Sequence, residues 1–231
     1  MKRASQRGFT LIELMIAVTL VAAISVTMLM AMRTSLVTLE RTDARLDSNR
    51  RVMAVEQILS RELSGVMPVT GACGNGGRVP VFNGADQTLF LVSSFSMSEG
   101  ARGYPRVLSM QVVPGDRGGL RLIVNEDLYT GPSSIAPLCL SGSFLPVEVK
   151  PQSFILADQL ASCHIAYLER RADGSPLGGN WVSVWQRRDL PQAVRVTMEP
   201  LAPDPARLPL VSVTVPIRIT REVMVPYVDF W

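Results

Sequence analysis

The chain divides into a long stretch with helical patterning and a later stretch in which apolar and polar residues alternate. Glycine and proline are absent from residues 9–64, and the first helix breakers are Gly65 and Pro68. Residues 9–32 are predominantly apolar and carry one formal charge, that of Glu13. Since about 20 apolar residues cross the hydrocarbon core of a bilayer, this segment predicts a membrane-spanning helix.

The helix is predicted to continue past the apolar segment and to become amphipathic after Arg33. Leu39, Leu46 and Met53 are seven residues apart. Other apolar residues fill the neighbouring rows of the helix surface: Leu36, Val52, Val55, Leu59 and Leu63. A free coiled coil needs repeats sustained over about three to four heptads, which are missing. We therefore expect the stripe to be shared between the protein's own sheet and partner helices.

A glycine-rich connector, residues 68–80, separates the helix from a region with β patterning. Strands are predicted at residues 88–92, 106–113, 120–124, 162–169, 181–186, 193–199 and 208–225. The second and third of these flank a proline- and glycine-containing turn and predict a hairpin. In the last segment valine and isoleucine alternate with mostly polar residues, as one buried sheet face requires, and Pro216 indicates a bulge or an edge position.

The strongest functional signal lies where a basic leader meets the apolar segment, in the sequence GFTLIE of residues 8–13. The leader residues Lys2, Arg3 and Arg7 favour a cytoplasmic N-terminus by the positive-inside rule. A carboxylate inside a membrane segment costs roughly 2.5 kcal/mol or more unless it is paired, so Glu13 is a candidate functional residue.

Three other interpretations of this end fit the sequence less well. A secretory signal peptide would be cleaved after the small residues Ala22 and Ala23, but apolar residues continue past that point and Glu13 would interrupt its core. A plain signal anchor explains the length and leaves Glu13 unexplained. A core helix of a soluble protein seldom runs this long without a polar face.

With these residues the N-terminus resembles the type IV pilin superfamily, whose signal has the form GFTLIEL. The resemblance implies that a prepilin peptidase cleaves between Gly8 and Phe9 and methylates the new amino terminus of Phe9. It also implies that Glu13, at the fifth position of the mature chain, serves assembly by pairing with the methylated amine of an adjacent subunit.

The charge balance argues against a nucleic-acid partner once the leader is removed. The 231-residue chain has 23 Lys and Arg against 20 Asp and Glu, a net charge of +3. The leader carries three of the basic residues and no acidic one, so its removal leaves 20 against 20. A neutral mature chain offers no clustered basic face of the kind that binds nucleic acid.

Catalytic motifs are nearly absent from the sequence. His164 is the one histidine, and it follows Cys163 in a predicted strand, where neighbouring side chains point to opposite faces. Residues 74–77, GNGG, lack the strand–loop–helix context of a phosphate-binding loop. Acidic residues of the β region are too scattered for a calcium loop: Glu126, Asp127, Asp158 and Asp173. We predict no enzyme activity, no cofactor and no metal.

The three cysteines lie beyond the apolar segment and would face an oxidising compartment. Cys73 and Cys139 are in glycine- or proline-rich loops, whereas Cys163 has an apolar, strand-like context. We favour a bridge between Cys73 and Cys139, with Cys163 buried and free. A metal site is the weaker alternative, because three separated cysteines lack ligand spacing.

The C-terminal half is similar to the J-type minor pseudopilin of type II secretion. The similarity rests on residues 166–174 (AYLERRADG), 181–185 (WVSVW) and 189–198 (DLPQAVRVTM), and on residues 57–63 (QILSREL) at the helix end. It implies a structural subunit at the tip of a periplasmic pseudopilus, with I- and K-type partners and a major pseudopilin. The alternative is a minor pilin of a type IV pilus, acting in assembly priming, adhesion or DNA uptake.

Together these patterns predict an α+β, pilin-like fold. Its parts would be a cleaved leader (residues 1–8), a transmembrane half-helix (9–32), a periplasmic amphipathic half-helix (33–66) and a β-rich globular domain (67–231). The chain would cross the bacterial inner membrane once, with its C-terminal domain in the periplasm.

Overall fold

The structure, a computed structural model, describes residues 9–74, 77–170, 179–202 and 212–219. The chain forms two compact units, Met1–Asn49 and Arg50–Trp231. The division falls inside one helix, α1 (Leu11–Ser64), so the C-terminal unit contains the last turns of that helix together with the β strands.

Helix α1 confirms the prediction of a single helix over residues 9–64, beginning two residues later than predicted. Gly65 follows directly, and its amide still donates to the carbonyl oxygen of Arg61 at 3.0 Å. A Cβ atom at Gly65 would lie 2.5 Å from Cδ2 of Phe95, so only glycine allows the helix end to approach the sheet this closely.

The C-terminal unit is built on an antiparallel sheet. Its strands follow the order β12-β11-β9-β6-β5-β4-β3, and β10 pairs with β9. Two small hairpins, β1–β2 and β7–β8, stand outside this sheet. The strands are β1 (Thr70–Cys73), β2 (Gly77–Pro80), β3 (Asn83–Ala85), β4 (Thr88–Ser96), β5 (Ala101–Pro114), β6 (Leu120–Leu128), β7 (Cys139–Leu140), β8 (Ser143–Phe144), β9 (Phe154–Leu168), β10 (Trp181–Val182), β11 (Ala193–Pro200) and β12 (Val213–Pro216). A 3₁₀ helix, η1 (Pro132–Leu138), precedes β7.

The predicted α+β arrangement is confirmed, as are the β5–β6 hairpin and the strand now named β11. Pro216 ends the edge strand β12, the position that its missing N–H allows. Residues 217–219 follow β12 without strand structure, and most of the rest of the predicted segment 208–225 lies outside the described residues.

Three predictions about strands were wrong in part. The connector 68–80 contains a hairpin, because β1 and β2 pair along residues 70–73 and 77–80. Strand β9 begins at Phe154, eight residues before its predicted start. Strand β10 covers only Trp181–Val182, and Trp185 instead forms an isolated bridge with Gly84. Trp181 and Trp185 therefore do not share one strand face as predicted.

The last turns of α1 cover one face of the sheet. Val55, Leu59 and Leu63 are buried in the main core. Met53, on the stripe predicted to be shared between the protein's own sheet and partner helices, is 59% exposed and is not part of this core. The buried row is instead Val55, Leu59 and Leu63, spaced by four residues, and Val55 lies about 160° around the helix axis from Met53.

The opposite face of the sheet is covered over only part of its width. The segment carrying η1, β7 and β8 packs on Val92 and Val107, and on Phe90 and Ile123. The exposed residues of β9 are mixed, since Ile155 is 54% exposed and His164 is exposed as well; nearby, Ser162 donates a hydrogen bond to Glu199 of β11 at 3.0 Å.

Candidate functional site

The N-terminal motif enters the described part of the structure at Phe9, whose side chain is 81% exposed. Gly8, on the other side of the predicted cleavage site, lies outside the described residues. The carbonyl oxygen of Thr10 accepts hydrogen bonds from the amides of Glu13 (3.1 Å) and Leu14 (3.3 Å), which start the helix. Phe9 therefore precedes the first helical turn and is accessible.

Glu13 lies in the first turn of α1 and is exposed. A negative charge there is favoured by the partial positive charge of the helix N-terminus. The spacing Thr10-x-x-Glu13 is also that of a capping box, which offers a purely structural role for the carboxylate. Among the described residues, no basic side chain forms an ion pair with Glu13.

The first part of α1 meets the length and composition criteria for a membrane span. The span covers Leu11–Asp43, and every residue from Phe9 to Asp43 is exposed in the structure. Continuous apolar surface of this extent is not left in water by soluble proteins. Such a surface fits a membrane anchor.

Hydroxyl side chains in this span satisfy their hydrogen bonds within the helix. Thr19 donates to the carbonyl oxygen of Ile16 at 2.9 Å, and Ser25 donates to that of Val21 at 2.8 Å. Thr27 does the same with Ile24 at 2.8 Å. Because hydrocarbon offers no hydrogen-bond partner, internal bonding of this kind suits a helix that enters a bilayer.

The family described as the prokaryotic N-terminal methylation motif matches residues 3–29. The match includes Gly8, Phe9 and Glu13. No curated protein matches the chain. The motif and the arrangement of one apolar N-terminal helix followed by an antiparallel β domain indicate a type IV pilin-like protein, a structural class that assembles with other pilins after processing by a prepilin peptidase. The apolar helix fits the membrane anchor of such a protein.

Residues from the C-terminal segments 166–174 and 181–185 meet in one part of the core. Tyr167 and Trp185 are fully buried, with ring centroids 6.4 Å apart. The hydroxyl of Tyr167 donates to the carbonyl oxygen of Ala85 or of Thr88, at 3.1 and 3.2 Å. The indole nitrogen of Trp185 donates to the carbonyl oxygen of Asp189 at 2.8 Å. Burial raises the pKa of Tyr167, and the charge of Asp86 adds to the shift.

Glycine is required beside this aromatic cluster. A Cβ atom at Gly84 would lie 2.0 Å from the Tyr167 hydroxyl oxygen. Gly84 also exchanges two backbone hydrogen bonds of 2.8 Å with Trp185. The cluster fixes the short strand β3 against the segment after β10. Tyr167 and Trp185 therefore belong to the packed core and do not form an exposed binding patch.

The three cysteines occupy two environments. Cys73 and Cys139 are joined by a disulfide with Cα atoms 5.6 Å apart, which ties β1 to the residue after η1. Cys163 is a free, buried thiol. Burial, with a smaller contribution from the charge of Asp86, raises the pKa of Cys163 to about 12, so it is not a reactive thiolate at neutral pH.

His164 and Cys163 lie on opposite faces of β9, as predicted. Cys163 is fully buried, whereas the His164 side chain is 54% exposed, with its Nδ1 atom 2.9 Å from Oδ2 of Asp86. The two side chains cannot act as a nucleophile and base. Within the described ranges, no group of three potential ligands is arranged to hold a metal ion.

The acidic residues considered for calcium lie in separate places. Asp127 is 3.8 Å from Nζ of Lys150, and Asp158 accepts two hydrogen bonds from Arg121 at 3.1 and 2.9 Å. Hydrogen bonding to Arg121 lowers the pKa of Asp158. Asp173 lies outside the described residues.

Sequence reasoning missed one unusual residue, Glu62, which is only 1% exposed in the last turn of α1. The signal was present in the pattern. Glu62 is seven residues after Val55 and three after Leu59, on the row that packs against the sheet. An acidic residue on a helix row that is otherwise apolar predicts a buried acid.

Proposed function

We propose that the protein is a minor pseudopilin of a type II secretion system, acting at the tip of a periplasmic pseudopilus that supports protein export across the outer membrane. The observation that carries this proposal is the N-terminal methylation motif, continuous with a helix that is apolar at its start and packs on a β sheet at its end. The role is structural and uses no catalytic residue of this chain.

Processing would prepare the chain for assembly. Prepilin peptidase would cleave between Gly8 and Phe9, remove the basic leader and methylate the amine of Phe9. The exposed position of Phe9 before the first turn of α1 suits such a cut. The leader would remain cytoplasmic and the β domain would lie in the periplasm. We expect the disulfide between Cys73 and Cys139 to form there.

Glu13 would pair with the methylated amine of Phe9 in an adjacent subunit. Its carboxylate has no ion-pair partner among the described residues, and a charge inside lipid needs one. Removing one partner of a buried ion pair costs about 3–5 kcal/mol, because the other charge is left stranded.

The assignment to the J-type rests on the C-terminal half. Residues of the similar segments, including Tyr167, Trp185 and Val194, belong to one core. We infer that the order of these motifs reflects a shared way of folding and that the partners are the I- and K-type pseudopilins and the major pseudopilin. A type IV pilus minor pilin would carry the same anchor but different partners.

Affinity purification of the full chain from detergent-extracted membranes separates the two functions. The host should express both type II pseudopilins and type IV minor pilins. We expect the wild-type chain to recover the I- and K-type pseudopilins, and Glu13→Ala to be membrane-inserted yet to recover much less of them. A matched control is Glu40→Ala, which removes an exposed acid beyond the transmembrane half of the same helix.

Recovery of pilus minor pilins without I- or K-type pseudopilins would assign the protein to the type IV pilus instead. A Glu13→Ala variant that assembles as well as the wild type would remove the assembly role of Glu13 while leaving the partner assignment to be judged by the proteins recovered.

A further inference from the structure

A carboxylic acid is sealed between the end of α1 and the sheet. Glu62 is 1% exposed and stands beside Leu59 and Leu63, which have no exposed surface. Its Oε2 atom is buried and has no hydrogen-bond partner in the described part of the structure. Such an atom is costly when it carries a negative charge.

Backbone contacts close the structure around Glu62. The amide of Met67 donates to the carbonyl oxygen of Val92 at 2.7 Å, and the amide of Ser94 donates to that of Gly65 at 2.9 Å. Ser93, also fully buried, faces the carboxyl with its hydroxyl, whose oxygen accepts from the amide of Phe95 at 3.1 Å. The residues that follow the helix end are therefore bonded to β4 on both sides of Ser93.

The basic groups nearby are engaged elsewhere. On α1, Arg61 donates from Nη1 to the carbonyl oxygen of Gly100 at 3.0 Å and lies over the ring of Phe95. On β5, Arg102 stacks over that same ring, with Cζ 4.9 Å from its centroid. Arg106 donates to Glu99 at 2.5 Å.

A second buried carboxylate adds negative charge from β6. The side chain of Glu126 is 3% exposed. Its Oε2 atom accepts from the amide of Ser98 at 3.0 Å, and its Oε1 atom lies 3.5 Å from Nε of Arg106. Arg106 is thus shared between Glu126 and Glu99, and Glu62 gains no cation from β5 or β6.

We infer that Glu62 holds a proton in the folded protein at neutral pH, and that this proton stabilises the packing of the last turns of α1 against β4, β5 and β6. A neutral carboxyl can donate a hydrogen bond and avoids the cost of a buried, unpaired charge. Loss of the proton would loosen the attachment of α1 to the sheet.

The direction of titration agrees with this geometry. Burial raises the pKa of Glu62 above its usual value of 4.5; the Ser93 hydroxyl opposes the shift, the charge of Glu126 adds to it and that of Arg61 opposes it. An acid with a raised pKa in the folded state favours folding most below its unfolded pKa. Its contribution declines as the pH rises from that value to the folded pKa.

Thermal and urea unfolding of the full chain in detergent micelles, between pH 4 and pH 8.5, tests the inference. One linked proton changes the unfolding equilibrium constant by up to about tenfold per pH unit. We expect the wild type to lose stability relative to Glu62→Gln as the pH rises, and Glu62→Gln to be the more stable of the two at pH 8. Glu56→Gln, an exposed acid on the same helix, is the matched control and should follow the wild type.

Equal pH dependence in the wild type and Glu62→Gln would overturn the inference. A rise in the wild-type melting temperature at pH 8 on adding Ca²⁺ or Mg²⁺, absent in Glu62→Gln, would also overturn it, because the acid would then bind a cation. If Glu62→Gln does not fold, infrared spectroscopy of the wild type at pH 7 decides. A protonated carboxylic acid band supports the inference, and its absence refutes it.

Discussion

The two ends of α1 belong to one helix but differ in how much of their apolar surface the chain itself buries. From Phe9 to Asp43 every side chain is exposed, and the apolar ones extend around the helix. In the last turns one row is buried by the sheet, as with Leu59 and Leu63, while Met53 stays exposed. The C-terminal end is packed within the chain, whereas the apolar N-terminal end fits a membrane anchor.

The contrast also separates two acids on the same helix. Glu13 is exposed and lacks an ion-pair partner within the described residues, so its role depends on another molecule. Glu62 is buried by its own domain, so its state is set inside the chain. Mutations at the N-terminal end should therefore change processing and assembly, and mutations at the C-terminal end should change stability.

The largest effect is expected from Gly8→Val, which acts on the N-terminal end alone. The bulky side chain should block cleavage after residue 8, leaving an unmethylated, membrane-retained product that is eight residues longer than the mature chain. Intact mass spectrometry of the membrane fraction measures this, with Ala4→Val as the leader control. A mature protein beginning after Ala23 would refute the pilin-like processing.

At the other end, Trp185→Ala should strongly destabilise the folded unit without changing processing. Trp185 is fully buried against Tyr167, and truncating a buried aromatic residue costs about 3–5 kcal/mol. Thermal unfolding followed by circular dichroism measures the loss. Trp181→Ala is the matched comparison, because Trp181 is only half-buried. Cζ of Arg195 lies 3.9 Å from the centroid of its ring. An equal loss in both variants would contradict the core role assigned to Trp185.

Between the two ends, Leu46→Arg should weaken partner binding more than it lowers stability. Leu46 is 49% exposed and lies on the stripe predicted to be shared between the protein's own sheet and partner helices. We expect at least a tenfold loss of recovered pseudopilin partners and a melting temperature within a few degrees of the wild type, because exposed substitutions usually change stability by about 0.5 kcal/mol or less.

Glu40→Arg is the control for that experiment. It introduces the same side chain on the same helix, six residues earlier and about 120° around its axis. If both variants lose partners equally, the effect belongs to added charge and the stripe has no special role.

The sequence predicts the parts of this fold in which one local pattern dominates. The absence of glycine and proline marked α1, and the apolar runs around a glycine-rich turn marked the β5–β6 hairpin. In the C-terminal unit, prediction failed where tertiary contacts determine the ends of strands. Strand β10 stops after two residues because the chain turns to bury Trp185 under Gly84 and Tyr167, a packing that alternation cannot reveal.

The functional residues divide in the same way. Gly8, Phe9 and Glu13 lie within six consecutive residues of the N-terminal methylation motif, so the sequence alone indicates them. Glu62 acquires its properties first from burial and then from Ser93 and Glu126, which are distant in sequence and meet it only after folding. Its position on an apolar row was visible, but its neighbours were not.

The smallest effect is expected at Asp158, a residue of β9 that takes no part in the proposed partner binding. Arg121 donates two hydrogen bonds to this carboxylate and lowers its pKa below the usual value of 3.8. An acid with a lowered folded pKa stabilises the protein above its unfolded pKa and loses that contribution as the pH falls through the folded pKa. Asp158→Asn should therefore be less stable than the wild type at pH 7, and the difference should shrink as the pH falls below the usual pKa of 3.8.

The pH dependence of Asp158→Asn is opposite in sign to that expected for Glu62→Gln, which gains relative stability as the pH rises. Because the Asp158 pair is partly solvated, the melting temperature at pH 7 should fall by no more than about 3 °C. Asp116→Asn is the matched control, since Asp116 bonds the same guanidinium at 2.9 Å with a side chain that is 81% exposed. An Asp158→Asn difference that persists unchanged at pH 2 would show that its effect is packing and not charge.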